Sequence, residues 1–167
     1  GPMTGRICNG FDTITKTSNA ILVMPKDHYI VLKRSQSTKV NVKRAMASCC
    51  QCQMCTDLCP RHLLGHPITP HMFMRSVSSG TAQDIKPLLD TMFCSACGLC
   101  EMYSCGQGLS PRTLIGEYKG ALRKNGVPVP KDAVLKPVAP YRNERKVPME
   151  RLTARIGLTC RHRWLMR

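Results

Sequence analysis

Two stretches decide how this chain is read: Cys49-Cys50-Gln51-Cys52-Gln53-Met54-Cys55-Thr56-Asp57-Leu58-Cys59-Pro60, and further on Cys94-Ser95-Ala96-Cys97-Gly98-Leu99-Cys100-Glu101-Met102-Tyr103-Ser104-Cys105-Gly106. Cys49, Cys52 and Cys55 are separated by gaps of two residues, as are Cys94, Cys97 and Cys100. Such gaps let a tight loop wrap a small inorganic cluster and deliver sulfur to three of its iron corners. The fourth iron lies beyond the loop's reach, so a distant cysteine must supply its ligand. The doubled run points to two 4Fe–4S cubanes, in the pattern of the bacterial ferredoxin run. In two-cluster ferredoxins the fourth thiolate comes from the other run. Applied here, Cys49, Cys52, Cys55 and Cys105 hold one cluster, and Cys59, Cys94, Cys97 and Cys100 the other. That crossing ties the two halves together and keeps the clusters close enough for electron hopping.

Zinc is the competing ligand chemistry. A structural zinc needs only two Cys-x2-Cys pairs, or Cys with His, around one ion. Three cysteines followed by a fourth in each run exceed that need, and Pro60 directly after Cys59 belongs to the ferredoxin pattern. The five histidines (His28, His62, His66, His71, His162) show no metal-binding spacing; even His62 and His66 lie beside Pro67, in an expected turn. Eleven cysteines in 167 residues is an odd count, which argues against a closed disulfide framework. Cys50 falls outside the two-residue spacing, and Cys8 and Cys160 stand alone, so all three read as bystander thiols.

The formal net charge of +15 raises nucleic acid as a partner and, with zinc, a basic binding module as an alternative function. Nucleic-acid readers that grip single strands add stacking aromatics to the basic surface. The one Trp, four Tyr and three Phe here are scattered and do not alternate with Lys or Arg, so no nucleic-acid partner is expected. Two oxidised cubanes with their thiolates lower the net charge by about 4, which gives some of the cations a use and leaves a basic remainder. No run of eighteen apolar residues and no secretory signal is present, which predicts no transmembrane segment and a cytoplasmic location. No residue reads as a proton-transfer catalyst, so no catalytic residue is assigned.

Outside the runs, residues 1–38 read as a short β segment. Ala20-Ile21-Leu22-Val23-Met24 and Tyr29-Ile30-Val31-Leu32 are two apolar runs around the turn residues Pro25-Lys26-Asp27-His28. The polar, basic stretch from Ser35 to Lys43 reads as a linker. Thr69-Pro70 signals a helix start and Gly80 its stop, with Met72, Phe73, Ser76 and Val77 on one face. Ser110-Pro111 starts a second helix whose stripe is Leu114, Tyr118, Ala121 and Leu122, ended by Asn125-Gly126. Beyond it, five prolines among many charges predict an extended surface tail, 127–167. The fold expected is α+β: a mainly α-helical dicluster ferredoxin domain over 39–126, preceded by the β segment and followed by the Pro-rich tail.

The run from Cys49 to Arg61 resembles the cluster domain shared by the Rnf complex C subunit and the cobalamin reductases of bacterial propanediol utilisation, and is closer to the second. Gly1-Pro2-Met3-Thr4-Gly5 and Lys16-Thr17-Ser18-Asn19-Ala20-Ile21-Leu22-Val23 resemble motifs at the end of that family's β-grasp (SLBB) domain, and the likeness covers roughly residues 1–158. The long helical insert between Cys59 and Cys94 is similar to the α-helical ferredoxin domain of fumarate reductase. Rnf C subunits close both runs with three residues and Cys-Pro. Here the second run closes with four residues and Gly106, which favours the cobalamin-reductase branch and leaves Cys105 as the ligand most in need of a geometric check. The resemblance implies an electron relay in a reductase whose FMN and NADH site lies on a preceding domain outside this chain. It implies a corrinoid, a corrinoid enzyme or an adenosyltransferase as acceptor, in the cytoplasm or a bacterial microcompartment. The Rnf branch implies instead a subunit feeding a membrane assembly.

Overall fold

The computed structural model describes residues 3–16, 18–130 and 135–143. Cys160, His162 and the end of the expected tail lie outside the described residues. Among the described residues seven α-helices appear in order: α1 (Tyr29–Ser35), α2 (Thr38–Ser48), α3 (Met54–Asp57), α4 (Pro60–Leu63), α5 (Pro70–Ser79), α6 (Lys86–Leu89) and α7 (Pro111–Lys124). A 3₁₀ turn at Asp90–Phe93, a π-helical turn at Cys100–Ser104 and a 3₁₀ turn at Pro140–Asn143 complete the regular structure.

α5 and α7 start and stop where their flanking residues dictate. Each has Pro at its first position, where the missing N–H is no loss. Gly80, at φ 69°, ends α5 in the left-handed conformation that a side chain resists. Phe73 and Met74 of α5 meet Leu114 and Ile115 of α7, Ala45 of α2 and Leu109 in one small core. Phe73 and Tyr118 pack edge to face with ring centroids 5.6 Å apart. Ile115 turns inward, whereas Ala121 of the expected α7 stripe is exposed. Cys49, Cys94 and Cys105 lie against this same core. The apolar interior therefore ends on the cysteine loops, and whatever those cysteines hold completes it.

The β segment is a correction. Among the described residues there is no strand. Ala20–Met24 is irregular, with Ile21, Leu22 and Val23 exposed. Tyr29–Leu32 continues into Lys33–Ser35 as a helix whose start is capped by His28 Nδ1, which accepts from the Ile30 N–H at 3.3 Å. Ile30 and Lys33, three residues apart, both turn inward, a helical period that tertiary contacts impose over β-branched preference. The linker is a second correction. Residues 38–48 form α2, which rests Ala45 and Val42 against the core and also buries Asn41. After α7 the chain returns: Lys136 N–H donates to the Gly65 carbonyl at 2.8 Å and Ala139 N–H to that of Leu63 at 3.0 Å, running alongside the end of α4.

Candidate metal centre

Each cysteine loop is built the same way. Gln51 and Gln53 in the first run, and Ala96 and Gly98 at the matching positions of the second, all have positive φ, between 55° and 83°. Three of the four are not glycine, and each left-handed side-chain residue carries about 1–2 kcal/mol of strain. That conformation coils the backbone so that successive amides face the loop's concave side, a cradle suited to an anion. Gln51 Nε2 donates to Cys49 Sγ and the Ala96 N–H to Cys94 Sγ, each at 3.3 Å. The Leu109 N–H donates to Cys105 Sγ at 3.4 Å. Cys59 stands at the start of α4, where burial raises its thiol above the ordinary range and the nearby backbone amides of His62 and Arg61 oppose that rise.

Two cavities result. Cys49, Cys52, Cys55 and Cys105 line the first, which holds about 490 Å³ of non-protein space including its mouth. Cys59, Cys94, Cys97 and Cys100 line the second, of about 320 Å³ on the same measure. Cys59 thus crosses from the first run to the second cavity, and Cys105 from the second run to the first. The extra residue between Cys100 and Cys105 is taken up by the π-helical turn, whose wider coil absorbs one residue more than the α turn of Met54–Asp57 in the first run. Cys50 and Cys8 are exposed; Cys50 lies on the lip of the first cavity, and Cys8 lines neither.

The electrostatics fit a polycationic guest. Burial pushes the Cys55 thiol up to about 12, with Cys105, Cys52 and Cys49 adding repulsion. Burial likewise raises Cys100 well above an ordinary thiol, with Cys94, Cys59 and Cys97 contributing. Four mutually repelling thiols in one cavity become thiolates only when iron or a similar cation supplies the opposing charge. Among the described residues no three His, Cys, Asp or Glu side chains stand close enough to hold a single metal ion. Tetrahedral zinc needs its sulfurs about 2.3 Å from one point. A cubane meets each thiolate at a different iron, so a wider ring of sulfurs suits it.

Cations that nothing in the sequence marks out lie near these cavities. Lys33 of α1 is buried and Arg34 half-buried. Arg34 Nη1 lies 3.1 Å from Oε1 of Glu101, next to Cys100, and its Nη2 donates to the Met3 carbonyl. Glu101 Oε2 accepts from the Thr113 N–H and hydroxyl, both at 2.9 Å. Lys119 Nζ donates to the Cys94 carbonyl at 2.8 Å, and Arg112 lines the second cavity. The only sequence cue to the buried pair is a lone Glu101 inside the apolar stretch Leu99–Tyr103.

Residues 48–110 match the family described as 4Fe-4S dicluster domain. The chain is 37% identical over 160 residues to the cobalamin reductase PduS of Salmonella typhimurium, covering 95% of this chain and 35% of that protein. It is 36% identical over 165 residues to the PduS of Citrobacter freundii, with the same coverage. The chain thus spans about a third of the length of these curated relatives. No solved structure matches it. No helix of the described residues is long and apolar enough to cross a membrane. Over 48–110 the chain carries a 4Fe-4S dicluster domain match, and over 95% of its length it is homologous to the cobalamin reductases.

Proposed function

We propose that this chain is the electron-relay segment of an NADH-dependent cobalamin reductase, holding two 4Fe–4S clusters in crossed ligation. Cys49, Cys52, Cys55 and Cys105 hold one and Cys59, Cys94, Cys97 and Cys100 the other. The single observation that carries this reading is the exchange of Cys59 and Cys105 between the two cavities. Bound clusters supply one-electron chemistry at potentials set by burial and hydrogen bonds to sulfur. The chain's own residues do the rest. The coiled loops present amides to the sulfurs, α2, α5 and α7 exclude water on one side, and the buried cations offset negative charge.

FMN and NADH belong, in this reading, to the part of the longer relatives outside this chain. The acceptor is a corrinoid, free or held by its enzyme or adenosyltransferase, and the setting is the cytoplasm or a microcompartment. The division proposed is residues 1–38, 39–126 and 127–167, except that α1, through Lys33 on the Glu101 and Gly108 carbonyls, belongs with the cluster body. The four-residue closure of the second run supports the cobalamin-reductase branch over the Rnf subunit. The test is to reduce the loaded protein anaerobically, remove the reductant and add cob(III)alamin. Cobalt reduction, read by visible absorbance and matched to the electrons stored, supports the assignment; loaded, reduced protein that leaves cobalamin unchanged contradicts the acceptor.

A further inference from the structure

We propose that Lys33 is a positioning residue that raises the reduction potential of the cluster held by Cys105, acting through a single peptide group. This rests on the relay reading above. Lys33 is 5% exposed, and its ammonium donates to the carbonyls of Glu101 and Gly108 at 3.2 Å and of Leu109 at 3.3 Å. A fourth contact is the Tyr29 hydroxyl at 3.4 Å. All four partners are neutral, so the buried cation gains no full counter-charge from them.

The Gly108 carbonyl and the Leu109 N–H belong to the same peptide. That N–H donates to Cys105 Sγ at 3.4 Å. The order is therefore ammonium, carbonyl oxygen, amide hydrogen, thiolate, with the peptide dipole aligned along it. A cation on the oxygen polarises the amide and strengthens its hydrogen bond to sulfur. Hydrogen bonds and positive charge at a cluster's sulfurs stabilise the more negative, reduced state, which raises the potential. The Glu101 carbonyl extends the clamp to the π-helical turn that delivers Cys105. Lys33 thus both fixes the loop and supplies charge. Among the described residues no ammonium donates to the Ser95 carbonyl, which shares its peptide with the Ala96 N–H that donates to Cys94 Sγ.

The experiment is an EPR-monitored redox titration of the whole chain, anaerobically purified and loaded, with iron and sulfide counted first. Lys33→Met should move one of the two clusters to a more negative potential and leave the other within the scatter of the wild type. Lys33→Arg, which keeps the charge, should restore most of the shift. The affected cluster should be the one whose EPR signal changes in Cys105→Ser. Equal potentials in wild type and Lys33→Met, with both clusters loaded, would overturn the inference, as would an equal shift of both clusters. Should Lys33→Met fail to load, Lys33→Gln keeps amide donors while removing the charge. If that fails too, the wild-type protein labelled with ¹⁵N-leucine decides. Hyperfine coupling of one leucine nitrogen to the reduced cluster, lost in Leu109→Ile, is expected, and its absence would overturn the contact. A wild-type protein that binds no iron and sulfide defeats the relay reading itself, a separate result.

Discussion

The two cavities share one loop design and differ in what covers them. Around the first, Cys50 and Cys52 are exposed, and no charged side chain lines the wall. Around the second, Cys100 is buried, Arg112 reaches the lining, and the backbone of Met3 lies over Gly98. Arg112 ties that covering segment down by donating to the Thr4 carbonyl at 3.1 Å. One ligand geometry has thus been set in two dielectric environments. A charge change at the open mouth of the first cavity is screened by solvent, whereas one at the covered second cavity, or at Lys33 buried behind the first, is screened less. The open, uncharged mouth also makes the first site the more accessible to solvent and to partners.

The comparison breaks most directly at Cys59. Cys59→Ser should abolish or destabilise the cluster of the second cavity, lowering iron from about eight toward about four per chain while the first cluster's EPR signal survives. Loss of the first cluster instead would place Cys59 with its own run and undo the crossing. Next in size is the buried pair beside the second cavity. Glu101→Gln keeps the hydrogen-bonding shape but leaves Arg34 buried without its counter-charge, an expected loss of about 3–5 kcal/mol in denaturant unfolding.

A smaller contrast lies in the loops. A Cβ at Gly98 would come within 2.6 Å of the Met3 carbonyl at a φ of 83°. Gly98→Ala should therefore lower stability by about 1–3 kcal/mol. Gln53→Gly at the matching position of the first run relieves strain, and should leave stability unchanged or raise it by up to about 1 kcal/mol. The smallest effect is expected at Cys50→Ser, with iron content and both EPR signals as in the wild type; loss of the first cluster would make Cys50 a ligand in place of Cys49.

The sequence was most legible where spacing is chemistry. Two-residue gaps between thiols have few uses, so the two groups of four cysteines that line the cavities could be written down before any geometry. α5 and α7 were legible because Thr69-Pro70, Ser110-Pro111 and the following glycines carry their own backbone constraints. α1 and α2 were not. Tyr29–Leu32 has the composition of a strand, and its helical period emerges only when Lys33 is counted as an inward residue, which hydropathy forbids. In α2 the most buried positions are Asn41 and Ala45, which give almost no apolar signal. Lys33, Arg34 and Glu101 escaped for the same reason. A charged residue in a sequence is assigned to the surface until its buried partner is known, and here Arg34 and Glu101 are each other's partner while Lys33 is held by neutral oxygens.

The central claim is tested most directly by anaerobic purification followed by iron, sulfide and zinc analysis, with EPR before and after dithionite. The account predicts about eight iron and eight sulfide per chain and a reduced spectrum broadened by interaction between two clusters. One or two zinc ions with no sulfide would contradict it and make the +15 surface the main clue to what the chain binds.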